Sequence, residues 1–285
     1  MSRGIRPKKK LLGFPPIYSR RPDVSEQRQI RLQLAQEIER MRREAGIAHR
    51  LQLAVLPSDD IYWDTLSVGS VMIPAEELIG DFFDVLRIGR ACFLFYVADV
   101  SGHGIQTSLL TIYLQERMRA HAAHFTPWPS SVLQKLAHDF CELQLDSSLY
   151  VTMALCLYDS EEQTLTISNA GHNCPPLIVR GDGQTETIPI RGLPISILSD
   201  EADYEDQIIP ISKNDRIILY TDGVVDEADK ASGQAFGHED VCREAKRTRR
   251  EGAAEAVQHI IGEARKYDTL MAKDDQMIMA VDILR

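Results

Sequence analysis

An α+β fold is predicted by three observations on this 285-residue chain. A helix-forming segment, 24–56, stops at Pro57 and gives way to short apolar runs of strand length. Two helical segments, 105–123 and 130–145, divide those runs into an earlier and a later group. Two more, at 238–248 and 253–267, come before a last apolar run at 277–284. With 44% hydrophobic residues, the chain can bury one large core.

The segments fall into three expected parts: a basic tail (1–22), a helical coiled-coil linker (23–56) and a single domain (57–285). The tail carries Arg3, Arg6, Lys8, Lys9, Lys10, Arg20 and Arg21 with no acidic residue, and is expected to be a flexible, solvated terminus. The remainder holds 25 of the 32 basic residues against all 42 acidic ones, a net charge of −17. That balance argues against nucleic acid as a partner. Five cysteines without a Cys-x-x-Cys pair suggest neither a disulfide framework nor a zinc site. No apolar run approaches the roughly 18 residues of a membrane span, and prolines interrupt the first 22 residues, so a cytoplasmic protein is expected.

In the linker, Leu34, Ile38, Met41, Ala45, Ala48 and Val55 follow heptad spacing, with Gln52 at the remaining seam position. The seam fits a short parallel coiled coil that joins two protomers through residues 24–56; the other reading is a helix packed on its own domain. Beyond Pro57, residues 65–74 alternate, 82–88 are compatible with a strand, and 91–99 are nearly continuous in apolar character, as in a strand buried on both faces. Asp81 and Asp84, three apart, should point to opposite faces, so one at most reaches a shared site. The helix 105–123 is expected to bury Leu109, Ile112, Tyr113 and Met118. Strands follow at 151–158, 164–169, 176–180 and 185–190, the last two joined by Gly181-Asp182-Gly183. Segments 204–211 and 215–221 suggest a hairpin through Lys213-Asn214, and a helix is expected after Gly223.

The chemistry sits at strand ends. The run Phe93–Ala98 stops on Asp99, with Gly102 and Gly104 close behind, and Arg216–Thr221 stops on Asp222-Gly223. Asp81 and either Asp274 or Asp275 share the same context. Carboxylates gathered closely raise one another's pKa unless cations neutralise them. Hard divalent ions, held by oxygen ligands, remove that penalty and activate water for attack on phosphorus.

Five stretches now bear comparison with a family: Gly80-Asp81-Phe82-Phe83-Asp84, Val97 to Gly104 (VADVSGHG), Thr166 to Pro176 (TISNAGHNCPP), Tyr220 to Val224 (YTDGV) and Lys273 to Gln276 (KDDQ). In that order they closely resemble the bacterial SpoIIE/RsbU-type branch of the metal-dependent type 2C serine/threonine phosphatases. The resemblance runs from about Pro57 to the C-terminus, and the helical entry Ala48–Pro57 is similar to the linker of that family. It implies a four-layer αββα sandwich, two mainly antiparallel sheets flanked by helices, with two Mn²⁺ or Mg²⁺ between the sheets. It places Asp99 as the bridging ligand, the Val100 carbonyl on one ion, Asp222 and Asp274 on the other, and Asp81 acting through water; Asp275 adjoins a ligand position.

The implied reaction is direct attack of metal-bound water on a phosphoserine or phosphothreonine, without a covalent intermediate. The implied substrate is an anti-sigma-factor antagonist in a partner-switching pathway; the alternative is a catalytically inactive module that keeps the fold to bind a partner. The general acid is open. Eukaryotic members carry a histidine close behind the bridging Asp, where this chain has Ser101, and His103 falls two residues later. Asn169 and His172 are further candidates to line the cleft, and Ser196 stands where the family commonly has glycine.

Overall fold

The computed structural model describes residues 24–57, 60–123, 128–225, 235–267 and 274–285. The basic tail, Lys273 and most of the helix expected after Gly223 lie outside the described residues. In chain order the elements are α1 (Val24–Val55), β1 (Asp60–Tyr62), β2 (Leu66–Ile73), β3 (Asp81–Ile88), β4 (Cys92–Val100), α2 (Ile105–Ala123), α3 (Pro129–Glu142), β5 (Tyr150–Asp159) and β6 (Thr164–Ala170). They continue with β7 (Leu177–Val179), β8 (Thr185–Thr187), β9 (Ile195–Ser196), β10 (Gln207–Pro210), β11 (Arg216–Tyr220), α4 (His238–Arg247), α5 (Ala253–Ala264) and β12 (Gln276–Ile283).

Strand alternation explains the layering. In β4, Phe93, Phe95 and Val97 face one way, Leu94, Tyr96 and Ala98 the other, and all six are buried. The first set joins a core built by residues of both sheets, including Leu66, Ile217, Met279 and Val281. The second meets Leu110, Leu114 and Met118 of α2 and Leu133, Leu136 and Phe140 of α3. On the far side, Ile218, Ile278 and Ala280 pack against Val241 of α4 and Val257, Ile260 and Ile261 of α5. One sheet runs β1-β2-β12-β11-β7-β8, the other β10-β6-β5-β4-β3, with β9 added to β5, and every ladder is antiparallel. This is the αββα sandwich.

Three expectations change. The segments β10 and β11 form no hairpin: β10 pairs with β6 in one sheet and β11 with β12 and β7 in the other, so the turn at Asn214 (φ 69°) carries the chain between layers. The buried face of α2 is Thr107, Ser108, Leu110, Thr111, Leu114, Gln115, Met118 and Ala122, while Leu109 is 54% exposed. Polar residues lie on the inward face because they have specific partners there, which a hydrophobic pattern alone does not reveal. Thirdly, the chain divides into two units at Arg43/Glu44. In the first, Leu34, Ile38 and Met41 are exposed, and Glu39 pairs with Arg43. In the second, Ala48 and Gln52 are buried, so the C-terminal part of the seam packs on its own domain. Ser196 is strained nowhere: it lies outside the left-handed region, and its N–H donates to Ser199 Oγ at 2.8 Å.

Candidate metal and active site

Antiparallel register sets Asp81, first in β3, directly opposite Asp99, near the end of β4. Each continues the side of its strand that faces the opposing sheet: Phe83 and Val85 follow Asp81, and Val97 and Phe95 precede Asp99 in the shared core. Asp84 points away and pairs with Arg119 at 2.7 Å, as its spacing from Asp81 requires.

The second sheet supplies the rest. Asp222 leaves the end of β11, and Asp274 and Asp275 lead into β12, its ladder neighbour. Gly223 allows the approach: a Cβ there would stand 2.1 Å from the Asp275 carbonyl oxygen, so any side chain would push the Asp222 turn away. Behind Asp99 the chain turns through Gly102 (φ 91°) and Gly104 (φ 89°), conformations that favour glycine, and enters α2. Val100 N–H donates to the Gly80 carbonyl at 3.3 Å, which ties the end of β4 to the residue before β3.

The electrostatics record how close these groups lie. Burial, then Asp99, raises the Asp81 carboxyl well above its ordinary value, Asp275 and Asp274 add to the shift, and the Thr221 hydroxyl opposes it. Burial, then Asp222, Asp274 and Asp275, pushes Asp99 up to about 7. Asp81 is 4% exposed, and its Oδ2 is buried without a hydrogen-bond partner. A buried carboxylate oxygen with no donor is costly unless something positive meets it.

Asp275 has a separate task. Its Oδ1 accepts from Ala75 N–H at 2.8 Å, and its Oδ2 from Gly80 N–H at 2.6 Å, so it holds the loop that delivers Asp81. Asp274 Oδ1 accepts from Asp275 N–H at 2.9 Å. The donor set of Asp81, Asp99, Asp222, Asp274 and the Val100 carbonyl is all oxygen, which suits Mg²⁺ or Mn²⁺. These groups are neighbours rather than a closed cage: among the described residues no three His, Cys, Asp or Glu side chains are already drawn together around one point.

The histidines separate. His172 is buried; its Nε2–H donates to the Tyr220 carbonyl at 3.0 Å and its Nδ1 meets the Thr152 hydroxyl at 3.0 Å. Burial lowers its pKa, so it is neutral, and it bridges β5 of one sheet to β11 of the other. Asn169 donates to the His172 and Ile190 carbonyls at 3.0 and 2.7 Å and accepts from His172 N–H at 2.7 Å. Both side chains are therefore committed to shaping the loop, and neither is placed to transfer a proton. His103 is exposed in the turn between β4 and α2.

Three contacts of the candidate site are not legible in the sequence. Thr221 lies against Asp81. Asn173, next to His172, donates to Asp222 Oδ2 at 3.0 Å. Gln52 of α1 donates to the Ile79 carbonyl at 2.7 Å and to Thr111 Oγ1 at 2.9 Å, and accepts from Ile79 N–H at 3.1 Å, two residues before Asp81. Only Thr221 had a local signal, its place before Asp222-Gly223.

Comparison with known proteins finds relatives by sequence and by fold. The family model for Stage II sporulation protein E (SpoIIE) matches residues 89–284. The phosphoserine phosphatases RsbU and RsbP of Bacillus subtilis (strain 168) are 26% and 25% identical over 64% and 65% of this chain, and over 53% and 46% of their own lengths. The chain thus spans about half the length of these curated relatives. Among solved structures, the SiaA-PP2C domain of Pseudomonas aeruginosa superposes with a TM-score of 0.73 at 17% identity, covering 87% of this chain and 98% of that one. The catalytic domain of the serine threonine protein phosphatase PstP, in complex with 2 manganese ions, reaches 0.57 at 13% identity, covering 78% and 99%. At these identities the structures show the fold.

Proposed function

Because the chain belongs to the Stage II sporulation protein E family, we propose that it is a metal-dependent phosphatase acting on a phosphoserine or phosphothreonine of a regulatory protein. The observation that carries this reading is the meeting of Asp81 and Asp99 from one sheet with Asp222 and Asp274 from the other, with Asp81 Oδ2 buried and unpartnered. The same convergence disfavours an inactive interaction module, which has no use for so costly a cluster.

Asp81, Asp99, Asp222, Asp274 and the Val100 carbonyl would hold the two Mn²⁺ or Mg²⁺ that the resemblance implies. When bound, such cations neutralise the carboxylates, make hydroxide available near neutral pH and stabilise charge on phosphoryl oxygens. The chain's own groups hold that geometry: Asp275 fixes the Asp81 loop, Thr221 steadies Asp81, and Asn173 orients Asp222. With His172 committed to the Tyr220 carbonyl, the general acid stays open, and His103, exposed in the turn after Asp99, is one candidate.

The names of RsbU and RsbP support a phosphoserine substrate, and the resemblance to their branch supports an anti-sigma-factor antagonist in a partner-switching pathway. A homodimer through the N-terminal part of the 24–56 segment is supported by exposed Leu34, Ile38 and Met41. Its formation would reach the site through Gln52, which grips both the Asp81 loop and α2. No helix among the described residues is long and apolar enough to cross a membrane. Purified protein with Mn²⁺ should hydrolyse a phosphoserine peptide, and Asp99→Asn should lower the rate at least about a hundredfold. Full activity in that variant would remove the assignment.

A further inference from the structure

A groove of about 400 Å³ lies between the outward face of α2 and the loop from α3 to β5. Its walls are Leu109, Leu110 and Tyr113 on the helix and Leu143, Leu145 and Leu149 on the loop side. Gln106 and Asp146 are its polar residues. Leu109 is 54% exposed, and Tyr150, next to Leu149, is 44% exposed. Leu110 is buried, and Tyr113, Leu143, Leu145 and Leu149 are half-buried against the core, so the groove presents one exposed leucine over an apolar floor.

We propose that this groove docks aliphatic side chains of the phosphoprotein substrate that lie beside its phosphorylated residue. The proposal rests on the phosphatase reading. Two observations select the substrate as occupant. First, the groove is built onto the metal loop. Ser101, two residues after Asp99, donates its N–H to the Tyr150 carbonyl at 2.9 Å and its hydroxyl to the Ser148 carbonyl at 3.3 Å, and its Oγ accepts from Tyr150 N–H at 2.9 Å. One wall of the groove is therefore pinned to the segment that carries Asp99 and Val100, and the other wall is the helix that starts directly after Gly104. The groove and the carboxylate cluster thus border the same segment, Asp99 to Ser101, so a substrate held at one would meet the other.

Second, the lining holds a single charged side chain, Asp146. Cations at the carboxylates would attract any phosphoryl group alike, so preference among phosphoproteins has to come from contacts beside the site, and apolar burial supplies them without adding charge. The groove would thus select among phosphoserines by the side chains that accompany them, while the metal loop acts on the phosphate common to all.

Two short phosphoserine peptides, identical except for leucines or serines flanking the phosphoserine, test this. Hydrolysis with Mn²⁺ and binding by fluorescence anisotropy are both read, and the quantity of interest is the ratio between peptides, which a general loss of activity leaves unmoved. Wild type should favour the leucine peptide by about tenfold or more in kcat/KM and in affinity, since burying one or two leucine side chains supports that factor. Leu109→Glu, at a half-exposed position where folding is undemanding, should bring the ratio close to one, and Leu109→Ser should fall between.

A ratio of one in wild type, or a ratio that survives Leu109→Glu, overturns the proposal. So does a change in sedimentation on Leu109→Glu, which would make the groove an interface between copies, or a rise in leucine-peptide affinity on removing residues 1–23, which would make the chain's own terminus the occupant. Failure to hydrolyse a small phosphate ester with Mn²⁺ counts against the phosphatase reading instead; the anisotropy ratio still decides the groove.

Discussion

Replacing Asp99 by Asn should stabilise the metal-free protein in mildly alkaline solution and abolish its response to Mn²⁺. Burial, then Asp222, Asp274 and Asp275, takes the Asp99 carboxyl from an ordinary 3.8 to about 7. A carboxyl raised by folding holds its proton more tightly in the folded than in the unfolded chain. Its contribution to stability is therefore most favourable at low pH and is lost progressively as pH rises from the unfolded value toward the folded one. Above pH 7 the whole cost of the folded carboxylate is present, on the order of 4 kcal/mol at about 1.4 kcal/mol per unit. At pH 5 the corresponding cost is less than half as large. Asn carries no charge, so the variant should gain about 2–4 kcal/mol at pH 8 and markedly less at pH 5, the larger figure being a ceiling because the amide needs partners of its own. Urea unfolding of both proteins in EDTA at the two pH values measures this directly. An equal gain at both pH values, or a loss at pH 8, would refute the electrostatic reasoning. With saturating Mn²⁺ the wild type should regain stability by linkage and the variant should not.

Other consequences follow from the same contacts. Protons and Mn²⁺ compete for Asp99, so calorimetric Mn²⁺ affinity should drop by up to about tenfold per pH unit below pH 7; a flat profile between pH 6 and 8 would contradict this. Asn173→Ala frees Asp222 Oδ2 and should weaken Mn²⁺ binding by about 10- to 100-fold with little change in melting temperature, as outer-shell partners typically do. Gln52→Ala removes buried hydrogen bonds to Ile79 and Thr111, costs about 1–3 kcal/mol in unfolding experiments, and should lower Mn²⁺ affinity by loosening the Asp81 loop. His172→Phe unties Thr152 from the Tyr220 carbonyl; unfolding should register a loss of about 2–4 kcal/mol, while the pH dependence of any remaining hydrolysis stays as in wild type because burial disfavours the charged ring.

Much of the site was legible because its chemistry is local. An apolar strand that stops on Asp and then Gly announces a carboxylate at a strand end, and both Asp99 and Asp222 occupy such places. The opposed faces of Asp81 and Asp84 followed from pleat alone. What stayed hidden depends on contacts between distant segments. The inward face of α2 is half polar because Thr111 and Gln115 bond to α1 and β3, so a hydrophobic pattern placed Leu109 inside when it lies on the surface. The strands β10 and β11 look like a hairpin in sequence, yet each completes a different sheet. His172 carries a motif that suggests chemistry, and only its two partners on opposite sheets reveal that it fastens them. The linker seam reads as one heptad stripe, but Ala48 and Gln52 are spent on the chain's own domain and only its N-terminal part is open to a partner.

The central claim is that carboxylates from two sheets converge to hold a pair of divalent cations. Anomalous diffraction from crystals grown with Mn²⁺ tests it most directly. Two manganese peaks should appear between the sheets, one within ligating reach of Asp222 and Asp274, the other of the Val100 carbonyl, with Asp99 touching both. No peak among these residues at saturating Mn²⁺, or manganese bound only elsewhere, would contradict it.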